Sequence, residues 1–161
     1  MSWLWRALLL LAVIFVVIQF VRPARTNPSA NPQHEVTVVL PVDATVAETF
    51  QRSCYDCHSN RTVWPKYSHV APASWLVAYD VSRGRKSMNF SEWASYPPKE
   101  SRKLLGEICK EVSEGEMPGF PYSLLHPRAK LTSTDVQQVC RWTKTAAAQT
   151  ERGDAAPSHG E

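Results

Sequence analysis

The sequence predicts an all-α domain preceded by a single apolar helix, and three observations carry that reading. A continuous apolar run opens the chain. Four later stretches repeat apolar residues every three to four positions between helix start and stop signals. Beyond residues 36–40, nothing alternates convincingly at period two. A length of 161 residues suits one domain, and the net charge of +3 contains no run of five like charges. That pattern argues against nucleic-acid binding and against a polybasic lipid patch.

The apolar run covers residues 7–18 and extends from Trp3 to Val21, with only Arg6 and Gln19 polar. It is expected to form a single transmembrane helix, with Arg6 reaching the interface and Trp3 and Trp5 in an aromatic belt. Val21-Arg22-Pro23-Ala24-Arg25 offers no small-x-small cleavage site, so residues 1–21 read as a retained anchor rather than a removed signal peptide. Residues 22–44 carry Pro23, Pro28, Pro32 and Pro41 and read as an extended linker. Within them, Val36–Leu40 is either a short strand or a segment lying along the domain surface. The helical domain is expected over 45–148, and the polar stretch 149–161 as a disordered tail.

Inside the domain, Thr45-x-x-Glu48 reads as a capping box. It opens a first helix that places Val46, Phe50 and Cys54 on one face. Pro72 starts a second helix ending near Gly84. Pro98 starts a third, with Leu104, Leu105, Ile108, Cys109 and Val112 on its apolar face and Gly115 as its stop. Thr132-x-x-Asp135 starts a fourth, with Val136, Val139, Cys140 and Thr143 facing inward.

The first helix runs into Cys54-Tyr55-Asp56-Cys57-His58. C-x-x-C-H is the attachment signature of c-type haem. Two thiols three residues apart reach the two vinyl groups on one porphyrin edge, and the adjoining imidazole reaches the iron. A thioredoxin-type dithiol needs a βαβ setting that this sequence lacks, and a structural zinc site needs a second close ligand pair, whereas Cys109 and Cys140 are far apart. The expected cofactor is one covalent haem c on Cys54 and Cys57, with His58 on the iron. Met117, followed by Pro118 in a loop, is the expected second axial ligand, and His126 is the alternative; plain core packing is the competing role for Met117. Met88 reads as packing, while His34 and His69 read as surface residues. Arg83, Arg85 and Lys66 are candidates for the propionates, beside aromatics such as Trp64 and Trp75. Cys109 and Cys140 either bridge their helices or remain two buried thiols.

Seven stretches, taken in order, resemble a known family. They are Cys54-Tyr-Asp-Cys-His-Ser-Asn, Trp64-Pro-Lys-Tyr-Ser, Ala71-Pro-Ala-Ser-Trp75, Asp80-Val-Ser-Arg-Gly84-Arg, Asn89-Phe-Ser-Glu-Trp93, Gly115-Glu-Met-Pro118 and His126-Pro-Arg-Ala-Lys-Leu131. Together they span about residues 45–143 and resemble the small bacterial haem-binding domain family, c-type cytochrome-like proteins with an N-terminal anchor. The resemblance implies haem attachment at Cys54, Cys57 and His58, with Met117 as sixth ligand. Lys66, where an aromatic is common, and Gly119, where a second proline often follows the methionine, depart from the pattern.

The expected architecture is therefore a cytochrome c-like helical fold around one haem, behind one transmembrane helix. The expected activity is one-electron transfer to and from redox partner proteins, without catalysis. Its expected place is the inner (cytoplasmic) membrane, with the haem domain facing the periplasm. A haem-binding sensor with an exchangeable distal ligand is the alternative.

Overall fold

A computed structural model describes residues 2–155, and every regular element among them is helical. The α-helices are α1 (Trp3–Ile18), α2 (Val36–Val39), α3 (Ala44–Ser53), α4 (Tyr55–His58), α5 (Ala73–Ser87), α6 (Pro98–Glu114), α7 (Phe120–Leu125) and α8 (Ser133–Ala155), joined by short 3-10 turns.

The expected transmembrane helix requires correction. Among the described residues, no helix is long and apolar enough to cross a membrane. α1 has 16 residues, about 24 Å at ~1.5 Å per residue, short of a hydrocarbon layer of ~30 Å. The apolar run does not continue as helix to Val21 because the chain turns at Gln19 onto the domain. Gln19 Nε2 donates to the Ala71 carbonyl at 3.2 Å, and Ala71 N–H donates back to Gln19 Oε1 at 2.9 Å. Trp75 Nε1 donates to the Val21 carbonyl at 2.7 Å. The single-pass inner-membrane placement rested on that helix and is overturned with it.

Residues 22–31 lie along the domain rather than away from it: Arg25 donates to the Ser68 carbonyl at 2.7 Å, and Asn27 to that of Thr62 at 2.9 Å. Val36–Val39 is one helical turn, with Val36 and Leu40 buried. The period-two pattern there is a coincidence of a turn with one inward and one outward side.

α3 begins a residue before the Thr45 box, because Asp43 caps it by accepting from Val46 N–H at 3.0 Å. α5 continues through Gly84 to Ser87. α6 starts with Pro98 at its first turn and stops at Gly115, whose φ of 75° is the left-handed cap. The Thr132–Asp135 box is reciprocal, with Asp135 Oδ2 accepting from Thr132 N–H at 2.7 Å and Asp135 N–H donating to Thr132 Oγ1 at 3.1 Å. The segment from 149, expected as a tail, remains helical in α8 up to Ala155; residues 156–161 lie outside the described residues.

The core sits where α3, α6 and α8 meet the turn at Phe90–Ser95. Phe50 stacks on Phe90 with centroids 4.8 Å apart, Trp142 meets Phe50 edge-on at 5.1 Å, and Trp93 stacks on Phe90 at 5.9 Å. Leu104, Leu105, Ile108 and Val112 of α6 close it against Val139 and Ala146 of α8. The indole donors are satisfied, Trp142 to the Pro41 carbonyl at 2.8 Å and Trp93 to Ser101 Oγ at 3.1 Å. Cys109 and Cys140 form a disulfide between α6 and α8. Arg52 of α3 pairs with Asp135 at 2.7 Å and donates to the Arg128 and Lys130 carbonyls, tying α3 to the start of α8.

Candidate haem site

α3 ends at Ser53, and the chain breaks direction at Cys54 (φ −124°, ψ −40°) before the single turn of α4. The turn closes on itself: Cys57 N–H and His58 N–H both donate to the Cys54 carbonyl, at 3.2 and 2.9 Å. Tyr55, between the cysteines, is buried against Phe90 at 5.4 Å and anchors the turn in the core. Asp56 faces the other way. Its carboxylate accepts from Val63 N–H at 2.9 Å and from Tyr122 Oη at 2.8 Å. Thr62 Oγ1 donates to the Asp56 carbonyl at 2.7 Å. The Cys54–His58 turn is thus fixed on both sides.

The last turn of α5 cradles it. Gly84 approaches so closely that a Cβ there would run into the Cys57 carbonyl. Arg85 Nε donates to the Ser59 carbonyl at 2.8 Å, one residue beyond His58. Its Nη2 donates to Thr62 Oγ1 and to Asn27 Oδ1, both at 2.8 Å, and its Nη1 to the Thr26 carbonyl at 3.0 Å. The Met88 carbonyl, at the end of the helix, lies 3.2 Å from His58 Nδ1. A carbonyl only accepts, so Nδ1 carries the proton and Nε2 holds the free lone pair. That tautomer suits iron ligation through Nε2, and a backbone carbonyl is a common orienter of ligating histidine.

Cys54 and Cys57 are free thiols, both partly buried. Burial is the main force pushing each thiol up to about 12. The neighbouring Cys57 adds to it for Cys54, and Asp80 and Asp56 for Cys57. Burial also lowers the His58 pKa, against the opposing pull of the Met88 and Gly84 carbonyls, so the imidazole is held toward its neutral, ligating form.

Cys54, His58, Met88, Phe90, Leu104 and Met117 line one cleft of about 370 Å³, within the ~300–1,000 Å³ usual for ligand sites. Met117 reaches it from the loop after α6, held by its N–H to the Glu111 carbonyl at 3.3 Å, and is 43% exposed. Cys57 opens on a smaller, mostly apolar pocket of about 90 Å³ with Tyr67, Leu76 and Tyr122. His126 does not line the cleft of His58. It shares a hydrogen bond with Tyr67 Oη at 2.7 Å and stacks on Tyr122 at 4.3 Å. Arg83 borders the cleft of His58 while donating to Tyr79 Oη, and Lys66 is exposed. Among the described residues, no group of three or more His, Cys, Asp or Glu is arranged to hold a bare metal ion.

Sequence reasoning missed the cradle. Gly84 was legible only as a stop signal, Met88 only as packing, and Arg85 only as a cation near the propionates. A glycine followed by arginine inside a helical pattern was the one available hint of close backbone approach.

The donor chemistry fits haem: two free thiols, one pre-oriented imidazole, and a thioether on the same cleft as the imidazole, whose walls mix Phe90, Leu104, Ile108 and Val112 with Arg83, Glu107, Lys110 and Glu111. The fold and site define a helical haem-binding protein. The chain matches the family model for the haem-binding domain over residues 13–145, most of its length, and belongs to that family. No curated protein and no solved structure matches it.

Proposed function

We propose that the protein is a monohaem c-type electron carrier, with the cofactor held covalently by Cys54 and Cys57 and the iron ligated by His58 and Met117. The observation that carries this reading is the fixed His58 tautomer, with Nε2 free, in a cleft shared with Cys54 and Met117. Bound there, haem supplies an iron that cycles between Fe(II) and Fe(III). Cys54 and Cys57 each add S–H across a vinyl group, forming one C–S and one C–H bond without an external oxidant. The Met88 carbonyl holds His58 in its ligating tautomer, and Phe90, Leu104 and Ile108 supply apolar surface to the cleft. In this reading the partners are redox proteins that give and take one electron. The Cys109–Cys140 bridge suits an oxidising compartment.

Co-expression with a haem-maturation system, followed by a denaturing gel stained for haem, tests this. A stained band in the wild type that disappears in the Cys54→Ala/Cys57→Ala double variant is the expected result. Colourless wild type, or protein holding zinc, overturns it. The exposure of Met117 favours a second reading, a sensor whose distal ligand exchanges. Rapid carbon monoxide binding to the reduced protein supports the sensor, and an unchanged spectrum supports the carrier.

A further inference from the structure

Arg85 joins three separate pieces of chain around the Cys54–His58 turn. It belongs to α5. Its Nε holds the Ser59 carbonyl at 2.8 Å, immediately after His58. Its Nη2 holds Thr62 Oγ1 at 2.8 Å, and that hydroxyl in turn donates to the Asp56 carbonyl at 2.7 Å, between the two cysteines. Through Thr26 and Asn27 it also grips the segment that precedes the domain. The carbonyl that orients His58 belongs to Met88, the residue just past the end of the same helix. Arg85 therefore fixes the distance between the helix that supplies the orienting carbonyl and the backbone that carries the imidazole.

We infer that Arg85 is a positioning residue for His58, and that the segment around Thr26 and Asn27 is its counter-anchor, so that a stretch outside the helical core sets the stiffness of the iron ligand. The inference rests on the proposed c-type reading. Its physical ground is the guanidinium fork, which serves four acceptors from one rigid plane; a lysine ammonium, a point donor on a flexible stem, cannot span them. Residues behind a metal ligand commonly change affinity or activity ~10–100-fold when lost.

The test uses the full chain matured with haem, comparing wild type with Arg85→Gln, Arg85→Lys and Asn27→Ala. The readouts are the haem-stained gel, the iron–histidine stretching band in resonance Raman spectra of the ferrous protein, with Met117→Ala carried in every sample including the reference so that the iron is five-coordinate, and the thermal midpoint. Arg85→Gln is expected to keep the covalent stain while its iron–histidine band shifts and broadens. Arg85→Lys should fail to restore the band, and Asn27→Ala should shift it by a smaller amount in the same direction. A wild-type band in Arg85→Gln, with only a lowered thermal midpoint, overturns the inference by showing a purely structural role. Should Arg85→Gln not fold, an unshifted band in Asn27→Ala overturns it equally. Unstained wild type removes the c-type reading itself and this inference with it, a result distinct from stained wild type with unshifted variants.

Discussion

The α6–α8 scaffold and the α4–α5 cradle are built by different physics in one small domain. The scaffold is side chain against side chain: Leu105, Ile108 and Val112 pack on Val139 and Ala146, helix ends are capped, and a disulfide joins the pair. The cradle is built around backbone carbonyls. Gly84 admits the Cys57 carbonyl, the Met88 carbonyl accepts a hydrogen bond from His58 Nδ1–H, and Arg85 donates to the Ser59 carbonyl. The difference teaches where stability and function reside. The scaffold is held by side-chain packing and a disulfide, while the cradle keeps two thiols free and one imidazole oriented.

The largest expected effect concerns the thiols. With pKa values raised to about 12, the cofactor-free protein carries roughly a thousandfold less thiolate at neutral pH than a free cysteine with pKa near 9. Alkylation followed by mass spectrometry should show Cys54 and Cys57 labelling slowly and accelerating only as pH climbs toward 12. Labelling at the rate of a free thiol would mean that the attachment turn is open and the cradle is not rigid.

A matched pair of substitutions sharpens the contrast further. Gly106, on the exposed face of α6, has nothing within 4 Å of an added Cβ. Gly106→Ala should therefore stabilise by about 0.5–1 kcal/mol through helix propensity. Gly84→Ala makes the same change in α5, where the methyl meets the Cys57 carbonyl, and should destabilise by about 1–3 kcal/mol. Thermal melts of both variants check the opposite signs, and stabilisation by both would remove the close approach from the account.

The smallest effect falls on the link between α3 and α8. Burial pushes the Asp135 carboxyl up, but the Thr132 amide and hydroxyl and the Arg52 guanidinium outweigh it and hold the pKa at about 2. A carboxyl depressed in the folded state contributes stability above its unfolded pKa of ~4, and that contribution fades as pH falls from about 4 through 2. Asp135→Asn should remove about 1 kcal/mol at pH 7 and much less near pH 2, measured by denaturant titration at both pH values.

How much of this was legible in the sequence follows the same division. Period and punctuation revealed α3, α6 and α8, with Pro98, Gly115 and the Thr132–Asp135 box at their ends, because those signals report side-chain burial and capping. The C-x-x-C-H spacing pointed to haem, and the family match agrees on haem. The cradle was illegible because a carbonyl has no residue identity, and a glycine in close approach is written with the same letter as a glycine at a stop. The apolar opening run misled for a related reason. Hydropathy counts residues and does not see Gln19 folding back on Ala71.

The Cys109–Cys140 bond has one further consequence. It turns the stretch from the end of α6 through Met117, α7 and the first turns of α8 into a covalent ring, with both ends anchored on the scaffold. Closing a ring of that size removes about 3–4 kcal/mol of freedom from the opened chain. A reductant that cuts it would lengthen the leash on Met117 while leaving the thiols of the attachment turn, which lie outside the ring, untouched.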